Sequence, residues 1–273
     1  MSAVAQRTES IPGRIHQQRS WKRYVEIIIF RTWSDLKMDA ARAYLGVLWW
    51  IVEPIAYIIT FYIVFGVGLR NGGVAVVPFL TCGLIQFRLF SNIVITVSSS
   101  IQRNKGLMQQ VYLPIFLCPL MSLTTSLARY FFTFAVMIFA IMAMGVFPSA
   151  SWITLPILIL ILTTFSFAIG ALVSVVYPFL PDIKLVVQSV TTMLFFGSGI
   201  HWDINSIPEP NQSLVRFNPI VGVLEEFRQV ILDDMWPDWN FWGVMFVVSV
   251  LTLMLSFLML RKLDHIYLKL PLS

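Results

Sequence analysis

The chain has 273 residues, 58% of them hydrophobic and only 12% charged, against about 45–50% apolar and about 25% charged in a soluble domain. That balance excludes a soluble globular domain, and continuous apolar runs of about 20 residues exclude a transmembrane barrel, whose strands alternate over about ten residues. The net charge of +5 reads as Lys and Arg kept in cytoplasmic loops rather than as a nucleic-acid surface.

Residues 1–20 are polar, lack the apolar core of a cleavable signal peptide, and read as a disordered cytoplasmic arm. From residue 21 the pattern changes. Trp21, Tyr24, Val25, Ile28 and Ile29 recur at helical spacing, Ile27 and Phe30 widen that face, and Lys22, Arg23 and Glu26 stand between them. The spacing predicts an interfacial amphipathic region over 21–42.

A first span is predicted at about 45–68, ending in the turn RNGGVA, and a second at about 77–98. The apolar run 115–147 would reach roughly 50 Å as one helix, so it must tilt, kink or protrude, with Pro119 as the candidate kink. A fourth span follows at about 152–177, and the fifth run, 185–200, is short for a full crossing. In the region 201–238, Ile220, Val223, Leu224, Phe227, Val230 and Ile231 fall on one helical face, with Glu225, Glu226, Arg228 and Gln229 on the other, after an Asn218-Pro219 start signal. The sixth span is predicted at about 241–260, before a basic tail at 261–273.

The expected fold class is therefore an all-α polytopic membrane protein. It would have six transmembrane helices over 43–260, an N-terminal interfacial amphipathic helix, and short re-entrant or interfacial helices before the last span. Orientation follows from charge. With the N-terminus inside, cytoplasmic segments hold fourteen of the 19 Lys and Arg, while Arg70, Arg216 and Arg228 lie outside. The outer 201–238 region is acidic instead, which places both termini, and the breaks at 101–114 and 178–184, in the cytoplasm.

No GxxxxGK-Ser/Thr loop, HExxH, GxSxG or paired-aspartate motif occurs. Cys82 and Cys118 have neither metal spacing nor a disulfide framework and read as buried thiols. No metal or cofactor is expected on this chain, and an intramembrane glycosyltransferase or acyltransferase is disfavoured because no loop gathers carboxylates or histidines. A scaffold would not need two cytoplasmic breaks.

Three charges fall inside predicted spans: Glu53, Arg88 and Arg129. Charges there must face protein or water rather than lipid. Two readings stand. Glu53 pairs with one arginine, with depth favouring Arg129; or an arginine, Arg88 first, faces a conduit and meets an anionic part of a substrate, a reading favoured by two arginines against one glutamate. The aromatics Trp49, Trp50, Tyr57, Tyr62 and Phe87 suit the flat faces of sugar rings, or equally anchor helices at the interface.

The segments DLKMDAARAYLGVLWWIVEP (35–54), NKGLMQQVYLP (104–114), PDIKLVVQ (181–188), GSGIHWDINSIPE (197–209) and RFNPIVGVLEEFRQVIL (216–232) occur in a defined order. In that order the chain resembles the permease subunit of type-2 ABC exporters, in particular those for capsule and O-antigen polysaccharides. It departs from the family at Pro181-Asp182, where Arg-Asp is usual, and at Arg88, where aromatics are usual. The resemblance implies two copies forming a conduit for a lipid-linked polysaccharide across a bacterial inner membrane, among membrane lipids and without nucleic acid. It also implies a separate ATPase subunit, carrying ATP and Mg, docked under the two cytoplasmic breaks. Coupling would then fall to Arg103, Asn104, Lys105, Leu107, Met108, Val111, Tyr112, Asp182 and Lys184, with Leu107, Met108 and Val111 on one face as a plug and Arg103 and Lys105 as rim charges. A type-2 permease for a small lipid or drug is the alternative.

Overall fold

The computed structural model describes residues 21–42, 44, 46–68, 76–110, 114–180, 182–204, 207–208, 212 and 215–267. The predicted arm at 1–20, the RNGGVA turn, Val111, Tyr112 and the tail beyond 267 lie outside the described residues. Everything regular among the described residues is helical.

Helix α1 is Trp21–Arg42. A 3-10 turn, Gly46–Leu48, leads into α2, Trp49–Phe61, which loosens into a π-helix over Tyr62–Gly68. Then come α3 (Val76–Ser98), the short α4 (Ser100–Arg103) and α5 (Lys105–Gln110), and α6 (Leu117–Ala143). A turn at Ala150–Thr154 opens α7 (Leu155–Val176), followed by α8 (Ile183–Gly197), α9 (Pro219–Leu232) and α10 (Trp239–Tyr267).

Among the described residues, four helices are long and apolar enough to cross a membrane: Val76–Ser98, Leu117–Ala143, Ala150–Val176 and Trp239–Lys262. The predicted first and fifth spans correspond to the shorter apolar helices Trp49–Phe65 and Ile183–Gly197. The protein is thus a multi-pass, all-helical membrane protein. The long run at 115–147 needs no kink, because α6 stops at Ala143, with Gly145 at φ 95° just beyond, and spans only about 40 Å. Pro119 sits in its first turn, where no intrahelical hydrogen bond is lost, so it does not bend the helix.

The core is built around α3. Val77, Leu80, Cys82, Ile85, Phe87, Phe90, Ile93 and Val97 are all buried, against α6, α7 and α9. Two neutral hydrogen bonds lace α3 to α6: the Tyr130 hydroxyl donates to Gln86 Oε1 at 2.8 Å, and Thr96 and Ser126 hydroxyls meet at 2.9 Å. Close approach of α3 and α7 needs a small residue, and Gly170 supplies it: a Cβ there would stand 2.9 Å from Val97 Cβ. A second, smaller core joins Ile101, Met108, Ile115, Leu117, Cys118, Met121, Val175 and Leu260, with Tyr24, Ile27 and Ile28 of α1 packed on it.

The inward face of helix α1 differs from the expected one. Tyr24, Ile27 and Ile28 pack inward while Val25, Ile29 and Phe30 are exposed. The reason is its partner. Tyr24 meets Phe116, Thr32 meets Thr124 at 2.7 Å, and Asp39 meets Arg129, so α1 runs alongside the first half of α6 in the same direction.

Helix α9 starts as predicted, the Asn218 side chain accepting from the Ile220 N–H at 3.0 Å. Arg228, predicted on its polar face, is instead 4% exposed. Positions 221, 224, 228 and 231 share one face, so the guanidinium is carried inward with Val221, Leu224 and Ile231. There Nε donates to the Phe79 carbonyl at 3.2 Å and Nη2 to the Ile200 carbonyl at 3.1 Å, over the Phe79 ring. Burial pulls its pKa down from the ordinary arginine value, against the opposing pull of Cys82, Glu225 and Asp203.

Candidate functional site

The site is a cavity of about 320 Å³ between the α1–α2 corner and the laced pair α3–α6. Gly46 forms the corner. Its φ of 55° lies in the left-handed region, which a side chain would strain, and the chain folds back there so that α1 and α2 both reach the α3–α6 face. Trp49 and Trp50 begin α2 on one wall; Ile85, Arg88, Leu89 and Asn92 come from α3; Ser126, Arg129, Tyr130 and Thr133 come from α6.

Two ion pairs cross this cavity. Glu53 of α2 accepts from Arg88 Nη2 of α3, and Asp39 of α1 accepts from Arg129 Nη2 of α6. The side chains of Arg88 and Glu53 are 26% and 39% exposed, and those of Arg129 and Asp39 are 41% and 34% exposed. The expected pairing of Glu53 with Arg129 is therefore corrected, and so is the positive surplus argued from two arginines against one glutamate. Because α1 lies along α6, Asp39 supplies a second carboxylate and the site is charge-balanced. Nothing in the local sequence marks Asp39, which sits in a polar stretch ahead of the first apolar helix; only the parallel packing of α1 on α6 brings it in. Asn92, Ser126 and Thr133 were likewise not singled out, being ordinary polar residues on apolar helices.

The expected aromatics divide. The Arg88 guanidinium stacks on Tyr57, 4.6 Å from the ring centroid, Trp49 and Trp50 line the cavity, and Trp50 packs on Phe132. Tyr62 is exposed on the π-helix, away from these lining residues. Phe87 is buried against Phe90 and Phe195 and cannot line a path within one chain, because it points from α3 into the core rather than toward α2.

The polar break 101–114 is not one helical face. Asn104 divides α4 from α5, is 3% exposed, and turns its amide onto the Ser100 carbonyl at 2.8 Å. Met108 is buried in the small core, in one cluster with Ile101, Ile115, Leu117 and Met121, rather than presented as a plug. Arg103 is exposed, but its guanidinium donates to Ser122 Oγ at 2.8 Å. Lys105 and Leu107 belong to α5, while Val111 and Tyr112 lie outside the described residues. Asp182 and Lys184 are exposed at the start of α8. Both cysteines are buried free thiols, as expected.

Comparison with known proteins agrees with this architecture. The family described as ABC-2 type transporter matches residues 27–232. The O-antigen export system permease protein RfbA of Myxococcus xanthus is 22% identical over 222 residues, covering 81% of this chain and 85% of that protein. A protein of the same name from Klebsiella pneumoniae is 20% identical over 88% of this chain and 93% of its own length. The polysialic acid transport protein KpsM of Escherichia coli is 27% identical over 76% of this chain and 81% of its own length. The family match takes in the α1–α2 corner, both ion pairs and the buried Arg228, and the chain belongs to the ABC-2 type transporter family.

Proposed function

We propose that this chain is the transmembrane subunit of an ATP-driven exporter that moves a lipid-linked cell-surface polysaccharide, O-antigen or capsule, across the bacterial inner membrane. The observation that carries the reading is the open, charge-balanced cavity in which Glu53, Arg88 and Arg129, carried on apolar helices, are paired, Arg129 with Asp39 of α1. Partly exposed charges on such helices are costly unless water or a polar ligand meets them. The relatives named for O-antigen export and polysialic acid transport support the substrate class.

The chain works as a transport permease, with ATP and Mg bound on a separate subunit under the breaks at 101–114 and 178–184. It crosses the membrane six times with both termini cytoplasmic, α2 and α8 supplying the two shorter crossings. Two copies form the conduit. Support comes from α8, where Gln188, Ser189 and Thr192 are exposed beside Leu185, Met193 and Phe196. Lipid is a poor environment for those polar groups, whereas a second copy or a water-filled path suits them.

Inactivating the chain in its own cell should remove polysaccharide from the surface while lipid-linked polymer accumulates at the inner face. Unchanged surface polysaccharide would refute the reading. A permease for a small lipid or drug is the second reading, favoured by the cavity volume, which sits at the low end for small-ligand sites.

A further inference from the structure

The two ion pairs share a feature that a merely structural pair would not need. Each is single-ended: the contact runs through one Nη2 of the arginine to one oxygen of the carboxylate. A guanidinium carries five N–H donors in a fork that suits two oxygens at once. On Arg129 the Nε is buried and has no hydrogen-bond partner among the described residues. Both arginines belong to the firmly packed α3–α6 pair, whereas the two carboxylates belong to α1 and α2, one on either side of the Gly46 corner. The remaining polar lining includes Asn92, whose side-chain amide can donate, while the Thr133 hydroxyl already donates to the Arg129 carbonyl at 3.3 Å; Trp49 and Trp50 also line the cavity. The donors left over, Arg129 Nε and the Asn92 amide, suit acceptor oxygens rather than a cation.

We propose that Asp39 and Glu53 are internal place-holders, and that the cavity takes a phosphate ester of an amphiphile, whose oxygens displace the two carboxylates from Arg129 and Arg88. A phosphate offers the several acceptor oxygens that one carboxylate oxygen does not, so it can engage the Nε that Asp39 leaves idle. The tryptophans flank the headgroup where an apolar tail would leave toward lipid. Displacement also frees the C-terminal end of α1 and the start of α2 from the α3–α6 face. The signal that ligand has arrived is thus a loosening at the Gly46 corner, while Tyr24, Ile27, Ile28 and Thr32 keep the rest of α1 docked. The ligand class rests on the export reading above; the exchange of acceptors rests on the geometry alone.

The test is equilibrium binding to the full chain, purified in detergent and followed by tryptophan fluorescence, with folded state checked by gel filtration. The probes are farnesyl diphosphate, dioctanoyl phosphatidic acid and inorganic diphosphate. Arg129→Gln should weaken binding by on the order of fivefold or more, and Asp39→Asn should tighten it by on the order of fivefold, the effect of removing one competing charge in a partly solvated site. Opposite signs are the decisive result, because a misfolded variant cannot gain affinity. Preference for farnesyl diphosphate supports the proposal with an isoprenoid carrier as the source. Preference for dioctanoyl phosphatidic acid supports it with a glycerophospholipid as the source, whereas equal binding of inorganic diphosphate overturns the assignment of an amphiphile. No binding of any probe, or weaker or unchanged binding in Asp39→Asn, overturns it. The assay contains neither ATPase nor polysaccharide, so its failure leaves the export reading to the surface-polysaccharide measurement, and failure of that measurement leaves this one standing.

Discussion

Gly83 of α3 lies directly beneath the guanidinium of Arg228 of α9, so closely that a Cβ on the glycine would collide with it. The same guanidinium donates to the carbonyls of Phe79 and Ile200, and so ties α3, the turn after α8 and α9 together. Gly83→Ala should push Arg228 off these carbonyls. Arg228→Ala should destabilise the protein by about 3 kcal/mol or more, since two buried acceptors lose charged donors. Arg228→Lys should recover little, because an ammonium cannot fork between the carbonyls while stacking on Phe79. The two sites should be strongly non-additive in a double-mutant cycle read by thermal unfolding in detergent. Simple additivity would argue against the clamp.

His201 should make stability depend on pH. Its ring sits among Phe61, Phe65, Phe195 and Phe196, and burial first, then the nearby Arg228, lowers its pKa below 6.5. A histidine with a lowered folded pKa is protonated first in the unfolded chain. Its contribution is therefore present above pH 6.5 and is lost as pH falls from 6.5 through the folded value. Burial raises the pKa of Glu225 and Glu226 and gives the opposite slope, stability falling as pH rises from 4.5. The difference in Tm between wild type and His201→Phe isolates the histidine. It should move against wild type on going from pH 7.5 to 5.5. A constant difference would exclude the effect.

At the two polar breaks, buried and exposed positions should separate. Met108→Ala should destabilise the small core by about 2–5 kcal/mol, seen as lower protein level, because Met108 is 8% exposed there. Reversing the charge at the exposed Lys184 should leave protein level unchanged and reduce export if an ATPase docks there. Normal level in Met108→Ala, or normal export in Lys184→Glu, would each contradict its half of the assignment.

Much of this was legible in the sequence. Apolar length alone marks α3, α6, α7 and α10, and Asn218-Pro219 marks the start of α9. What was not legible is orientation about a helix axis. Arg228 reads as surface because arginine usually is, yet its register with Val221, Leu224 and Ile231 carries it inward. Asp39 reads as interfacial because no local pattern reports that α1 will run along α6. Met108 reads as a plug because a short amphipathic segment carries no mark of which surface covers it.

Gly170 tests the central packing. Ala at this position places a methyl 2.9 Å from Val97 Cβ and 3.3 Å from the Val94 carbonyl, so α3 and α7 must separate. Overpacking of this kind costs about 1–3 kcal/mol. Gly170→Ala should lower Tm, and Gly170→Ala with Val97→Ala should recover part of the loss. No recovery would mean the strain lies elsewhere.

The central claim is that the cavity between the α1–α2 corner and α3–α6 lies on the export path. The most direct measurement is surface polysaccharide together with membrane protein level in Arg88→Gln. Arg88 reaches Glu53 across the cavity and is 26% exposed in its side chain, so the neutral isostere should insert and fold. The account predicts a normal amount of protein with surface polysaccharide reduced about tenfold or more, the equivalent of about 1.4 kcal/mol on the limiting step. A normal amount of protein with normal surface polysaccharide would contradict it.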